Sequence, residues 1–207
     1  MLWTLRALLL LLCLSFCAQA QTRTLGLYFE QPRDLDAESG AVMREELRQL
    51  LAPAELEVIW KPLADRKAGQ NFDLVAVVSF EGSCSADKPA HLAGPVSLAD
   101  TSISDGHVLP FFHIDCSRVI AMLGSQTAPP ILGRALARVA AHEIYHIVAQ
   151  TAEHQERGVA KPSFSSRDLT AARFELDSWS LDLMRLKPVP VQVTAPTSEE
   201  SNLLSER

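Results

Sequence analysis

The stretch Ile131–Gln150, ILGRALARVAAHEIYHIVAQ, decides how this chain is read. On a helical wheel Ile131, Ala135, Val139, His142, His146 and Ala149 share one broad side, and Leu132, Leu136, Ala140, Ile144 and Ile147 adjoin it. The polar remainder, Arg134, Arg138 and Tyr145, is narrow. A helix apolar around so much of its circumference is mostly buried. Yet its inward side carries His142-Glu143-Ile144-Tyr145-His146, an HExxH pentapeptide. Two imidazoles four residues apart project from one side of a helix, and the carboxylate beside the first can reach a water held between them. Unpaired polar groups inside a protein cost several kcal/mol, so a buried helix with this interior needs an explanation. A metal and its water supply one.

Outward from that helix, Leu25 to Phe29 is a short β-prone run, and Asp36 to Leu51 follows with helical spacing at Val42, Leu47, Leu50 and Leu51. Pro53 closes that helix, and Leu56 to Trp60 reads as a second strand. Asp73 to Phe80, DLVAVVSF, is an uninterrupted Val-rich run of the kind buried on both faces. Glu81 to Ala99 turns to Gly, Ser, Pro and Ala and reads as a long surface excursion. Val108 to Ile114 forms another strand, followed by a short helix to Leu123 capped by Asp115 or Ser117. Pro129 or Pro130 opens the long helix. Thr151 to Ser166 is a loop, and a last helix runs from Ser166 to Leu186. The fold class is α+β: a single domain over residues 21–186, with a small mixed sheet packed on the buried helix and a C-terminal helix after it. Trp60, Trp179, Phe111 and Phe112 are assigned to core packing.

Residues 1–20 have the pattern of a secretory signal: Arg6 as the charge, an apolar core from Ala7 to Phe16, then Ala18-Gln19-Ala20 as the cleavage signal. Cleavage after Ala20 implies a secreted or periplasmic protein without stable membrane association, because the apolar run is short for a span. Cys13 and Cys17 leave with this segment, so Cys84 and Cys116 remain and pair most simply as a disulfide. With no spare cysteine, a latent form blocked by a thiol is not expected. The net charge of −6 and the lack of a Lys/Arg run exclude nucleic acid as the natural partner. Residues 187–207, rich in Pro, Ser and Glu, read as a disordered tail. The expected state is a monomer acting on peptide or protein.

Hydrolytic zinc takes three protein ligands and leaves a position open for water. His142 and His146 are two ligands, and Glu143 is reserved as general base. A straight helix would carry His154 about 12 Å beyond His146, so the chain must turn back before it, with Thr151 to Glu153 as the bend. On that condition His154 is the third ligand. Glu175, with Asp177 beside it, is the fallback on the following helix. His91, His107 and His113 lack a partner at ligand spacing and are read as structural or exposed. Tyr145 is read as a packing residue or one supporting a ligand. Lys161 and Tyr28 are candidates to stabilise an oxyanion.

The motif, the strands before it and the helix after it resemble the zincin metallopeptidases, nearest the compact metzincin and archaemetzincin-like group. The metzincin pattern is HExxHxxGxxH; here Ala149 stands at the glycine, Ala152 at the third histidine, and no Met-turn is recognisable, Met184 lying in the last helix. The echo of Glu175-Leu176-Asp177-Ser178 with the second motif of the thermolysin-like gluzincins keeps Glu175 open as a ligand. The resemblance implies an exported zinc endopeptidase that cleaves peptide bonds with a metal-activated water and Glu143 as base. It also implies an extended substrate laid along Val108 to Ile114 as the sheet edge. The alternative is a degenerate zincin that binds zinc or a partner protein without catalysis. The bland reading of the motif makes His142 and His146 satisfied histidines and pairs Glu143 with an arginine, but Arg134 and Arg138 lie toward a different side of the helix.

Overall fold

The computed structural model describes residues 22–65, 70–85, 87, 97–124 and 127–186. The leader with its cleavage point, the tail 187–207, His91 and much of the 81–99 excursion lie outside these residues. The elements are β1 (Arg23–Phe29), α1 (Ala37–Leu51), β2 (Leu56–Pro62), β3 (Leu74–Glu81), β4 (Ala99–Ser104), β5 (His107–Asp115), α2 (Cys116–Leu123), α3 (Pro129–Ala149), α4 (Ser166–Thr170) and α5 (Ser178–Leu186).

One five-stranded sheet in the order β2-β1-β3-β5-β4 forms the floor, with four strands parallel and β4 antiparallel to β5. Residues in register across it, Leu25 with Leu74, Leu27 with Ala76 and Val78 with Phe112, are all buried. They present one apolar face, on which α3 lies, packed in turn against α1. The opposite face is only partly covered: Val75 and Val77 are half-buried and Ser79 is exposed. The Val-rich run of β3 is thus buried on one face rather than two. In a parallel strand the hydrophobic run alone does not say how many layers cover it.

Local chemistry sets the helix ends. Asp36 caps α1 by accepting from the Ser39 backbone N–H at 2.8 Å, while the Ser39 hydroxyl bonds both Asp36 at 2.6 Å and the Pro129 carbonyl at 2.8 Å. That serine ties the starts of α1 and α3 together. Asp115 caps α2 in the same way, accepting from Arg118 N–H at 3.0 Å. Cys84 and Cys116 form a disulfide that joins the segment after β3 to the first turn of α2, and both are fully buried.

Three expectations need correction. The first concerns β4, which sequence reasoning left inside or beyond the surface excursion; it pairs with β5 through a hairpin turned at Asp105-Gly106, both at positive φ. Consequently Val108 to Ile114 lies in an interior strand, and among the described residues the sheet edge on that side is β4. The second concerns the last helix, which is two pieces. Arg138, reaching from α3, donates to the Asp168 carbonyl at 2.6 Å and the Ala171 carbonyl at 2.8 Å, ending α4. Asp177 then starts α5 afresh by accepting from Ser180 N–H at 2.9 Å. Thirdly, Phe112 and Trp60 do pack in or against the core, whereas Phe111 is 49% and Trp179 44% exposed. No helix among the described residues is long and apolar enough to cross a membrane.

Candidate metal centre

α3 begins with Pro129 at its first position and is buried almost from end to end. Arg138, expected on a polar strip, is 1% exposed. Besides the two carbonyls it holds, its guanidinium pairs with Glu46 of α1 at 2.9 Å and lies 5.1 Å over the Phe174 ring. Desolvation lowers the Arg138 pKa, and the Glu46 carboxylate opposes that shift. Tyr145 is buried too, its hydroxyl donating to the Glu153 carbonyl at 3.3 Å. The helix therefore has no solvent strip over its second half, and each polar side chain there has a partner.

The helix stops at Gln150, which takes a left-handed conformation (φ 46°, ψ 50°) so that its own N–H bonds the His146 carbonyl. Thr151 N–H reaches the same carbonyl at 3.2 Å. The reversal thus begins one residue before the expected Thr151–Glu153 bend. It swings His154 back over the helix: its ring lies 5.2 Å from His142, nearly parallel at 19°, and 4.8 Å from His146, nearly perpendicular at 81°. One donor atom from each of His142, His146 and His154 lies within 4.8 Å of the others, with His154 on the exposed side.

Backbone carbonyls fix the two helical imidazoles. His142 Nδ1 lies 2.8 Å from the Val159 carbonyl and His146 Nδ1 2.7 Å from the Thr151 carbonyl. A carbonyl can only accept, so each Nδ1 carries the hydrogen and each Nε2 presents its lone pair. Those two Nε2 atoms sit 3.1 Å apart. Facing lone pairs at that distance repel unless a positive species lies between them. A proton is a poor candidate at neutral pH, because burial pushes His142 down to about 4 and lowers His146 and His154 as well. Tetrahedral Zn–N bonds of 2.0–2.1 Å place nitrogens about 3.3 Å apart, so the His142–His146 pair fits zinc in separation, and three imidazoles fit it in ligand type.

Glu143 is buried at the wall of the cleft and meets no arginine. Its Oε2 accepts from the Thr101 hydroxyl at 2.6 Å. Burial pushes its pKa up to about 7 against the pull of Thr101, with the nearby Asp100 charge adding to the rise. A cleft of about 330 Å³ runs between β4 and the 151–162 segment, bordered by Thr101, Ile103, Glu143 and the three histidines. A smaller cavity of about 90 Å³ opens beside it, between Leu98, Ala99, Val139 and Phe164.

The other candidates lie elsewhere. Glu175 is exposed and in no helix; its carbonyl accepts from Val159 N–H at 3.0 Å, and the residue borders a separate cavity with Glu46 and Arg138. Asp177 is the cap of α5. Lys161 borders the smaller cavity but is paired with Asp168 at 2.5 Å. The Tyr28 hydroxyl donates to Gln70 at 2.9 Å and borders neither cavity. His113 pairs with Asp100 at 2.7 Å, and His107 is exposed. Sequence reasoning missed Thr101 and the orienting carbonyls of Thr151 and Val159. An Asp-Gly pair after a short β-prone run was the available signal for the hairpin that carries Thr101.

No family model matches the chain, and no curated protein matches it as a relative. Among solved structures its backbone is similar to archaemetzincin from Methanopyrus kandleri, at 12% identity and a TM-score of 0.48, over 82% of this chain and 97% of that one.

Proposed function

We propose that this protein is a zinc peptidase, with His142, His146 and His154 as the metal ligands and Glu143 as the general base. The observation that carries the reading is the convergence of three imidazoles, two of them held through Nδ1 by backbone carbonyls with their Nε2 atoms 3.1 Å apart. Zinc bound there would polarise a peptide carbonyl and bring the pKa of a water toward 7. Glu143 supplies the proton traffic: its free oxygen takes the proton of the attacking water and delivers it to the departing nitrogen. β4 is the outer strand among the described residues, and an extended substrate adding to its edge would run with its scissile bond across the cleft. Among the described residues, Lys161 is the one lysine or arginine bordering either cavity, and Asp168 holds it. Export accords with the leader-like residues 1–20 and with the Cys84–Cys116 disulfide.

The test uses the chain from Gln21 onward, metal analysis, and a proteome-derived peptide library read by mass spectrometry. About one zinc per chain and defined cleavage products are expected. Glu143→Gln keeps the zinc and loses cleavage, His154→Ala weakens zinc, and Glu175→Ala changes neither. Zinc retained at wild-type affinity in His154→Ala would overturn the ligand set. Zinc bound without cleavage of any library member leaves a binding protein rather than an enzyme.

A further inference from the structure

We infer that Thr101 is a positioning residue for the general base, holding Glu143 so that one defined carboxylate oxygen faces the reacting water; the inference rests on the peptidase reading above. Thr101 stands on β4 in register with the core residue Phe112, which places it on the sheet face turned toward α3. Immediately after it the β4–β5 register shifts between Thr101 and Ile103, where Ser102 faces the stretch Leu109 to Phe111, and Pro110 within that stretch has no N–H to give to a ladder. Irregularities of this kind re-aim a side chain, and here the hydroxyl ends 2.6 Å from Glu143 Oε2. No buried side-chain oxygen among the described residues lacks a hydrogen bond, so Oε1, which has no protein partner, is the oxygen open to the cleft.

A buried glutamate has several rotamers and two equivalent oxygens. A single short donor removes both freedoms and stabilises the ionised form that can act as base. Because this donor rides on the edge strand proposed to receive substrate, the base and the docked peptide share one support.

The test compares Thr101→Val, Thr101→Ala and Thr101→Ser with wild type, on a quenched fluorescent peptide built from the best-cleaved library sequence, with zinc content and thermal unfolding recorded for each. Loss of one hydrogen bond to a charged group predicts kcat lower by about 10- to 100-fold in the valine and alanine variants. KM stays within about twofold, zinc stays at one per chain, and serine restores most of kcat. Unchanged kcat in a folded, zinc-loaded valine or alanine variant overturns the inference while leaving the peptidase intact. A serine variant as impaired as valine, or a kcat loss that tracks lost zinc or lost stability, overturns it in favour of a packing role. A wild-type chain that cleaves nothing overturns both readings together.

Discussion

Replacing Gly158 with alanine tests whether a distant backbone contact sets metal affinity. Gly158 has φ +69°, a conformation that costs an L-residue about 1–2 kcal/mol. A Cβ there would lie 2.3 Å from the Glu175 carbonyl oxygen. That carbonyl must then retreat by about 1 Å to reach ordinary contact, and it is the acceptor for Val159 N–H at 3.0 Å. Losing this bond adds about 1 kcal/mol, for a total near 2–3 kcal/mol. The further effect lies one atom group away. The Val159 carbonyl orients His142, and loss of such a partner lowers metal affinity by about 10- to 100-fold. Gly106→Ala is the control: φ is +77° and nothing lies within 4 Å of the new Cβ, so it carries the strain alone. Denaturant unfolding of the metal-free chain and zinc competition against a chromophoric chelator separate the two effects. If Gly158→Ala loses stability but binds zinc as wild type and Gly106→Ala do, the carbonyl is not what positions His142.

Three other outcomes are expected. Arg138→Met strips Glu46 of its buried partner and frees the Asp168 and Ala171 carbonyls, so chemical denaturation registers a loss of about 3 kcal/mol or more, much of it recovered when Glu46→Gln is added. Removing the disulfide by Cys84→Ser with Cys116→Ser lowers unfolding free energy by about 3–4 kcal/mol for a sequence separation of 32, with zinc affinity unchanged once folded. Asp36 is held below the ordinary carboxylate range: burial alone would raise it, but the Ser39 hydroxyl and N–H groups at the start of α1 outweigh that. A depressed folded pKa gives stability that is complete above the unfolded value near 3.9 and is lost as pH falls through the folded one. The stability gap between wild type and Asp36→Ala, about 1 kcal/mol at neutral pH from loss of the cap, therefore closes in acid, as denaturation midpoints at pH 6 and pH 2.5 would register.

Periodicity made the central helix legible because α3 is buried on nearly every side, and apolar residues at almost every position leave little ambiguity. The same property hid Arg138, whose partners Glu46, Asp168 and Ala171 are remote in sequence and cannot be seen from a helical wheel. β1, β2, β3 and β5 announced themselves as short runs of aliphatic and aromatic residues. ADTSIS in β4 did not, since an edge strand needs apolar residues only where it touches the core, and Ser102 and Ser104 face solvent. Missing that strand also put the sheet edge one strand too far inward and concealed Thr101. His142 and His146 followed from helical spacing alone. His154 required a reversal whose decisive residue, a left-handed Gln150, is a type that seldom adopts that conformation. Glu175 appeared eligible only while residues 166–186 were read as one unbroken helix.

The left-handed Gln150 also bears on how widely three converging imidazoles can be spaced along a chain and still meet. Here seven residues separate His146 from His154, and no glycine marks the corner. The corner is braced instead by the Gln150 side chain, which donates to the Ile147 carbonyl at 2.7 Å and the Val108 carbonyl at 3.3 Å. A chain can thus lengthen such a corner and still deliver its last imidazole, provided something offsets the backbone cost. Sequence patterns that demand a fixed glycine and a fixed interval will pass over molecules built this way.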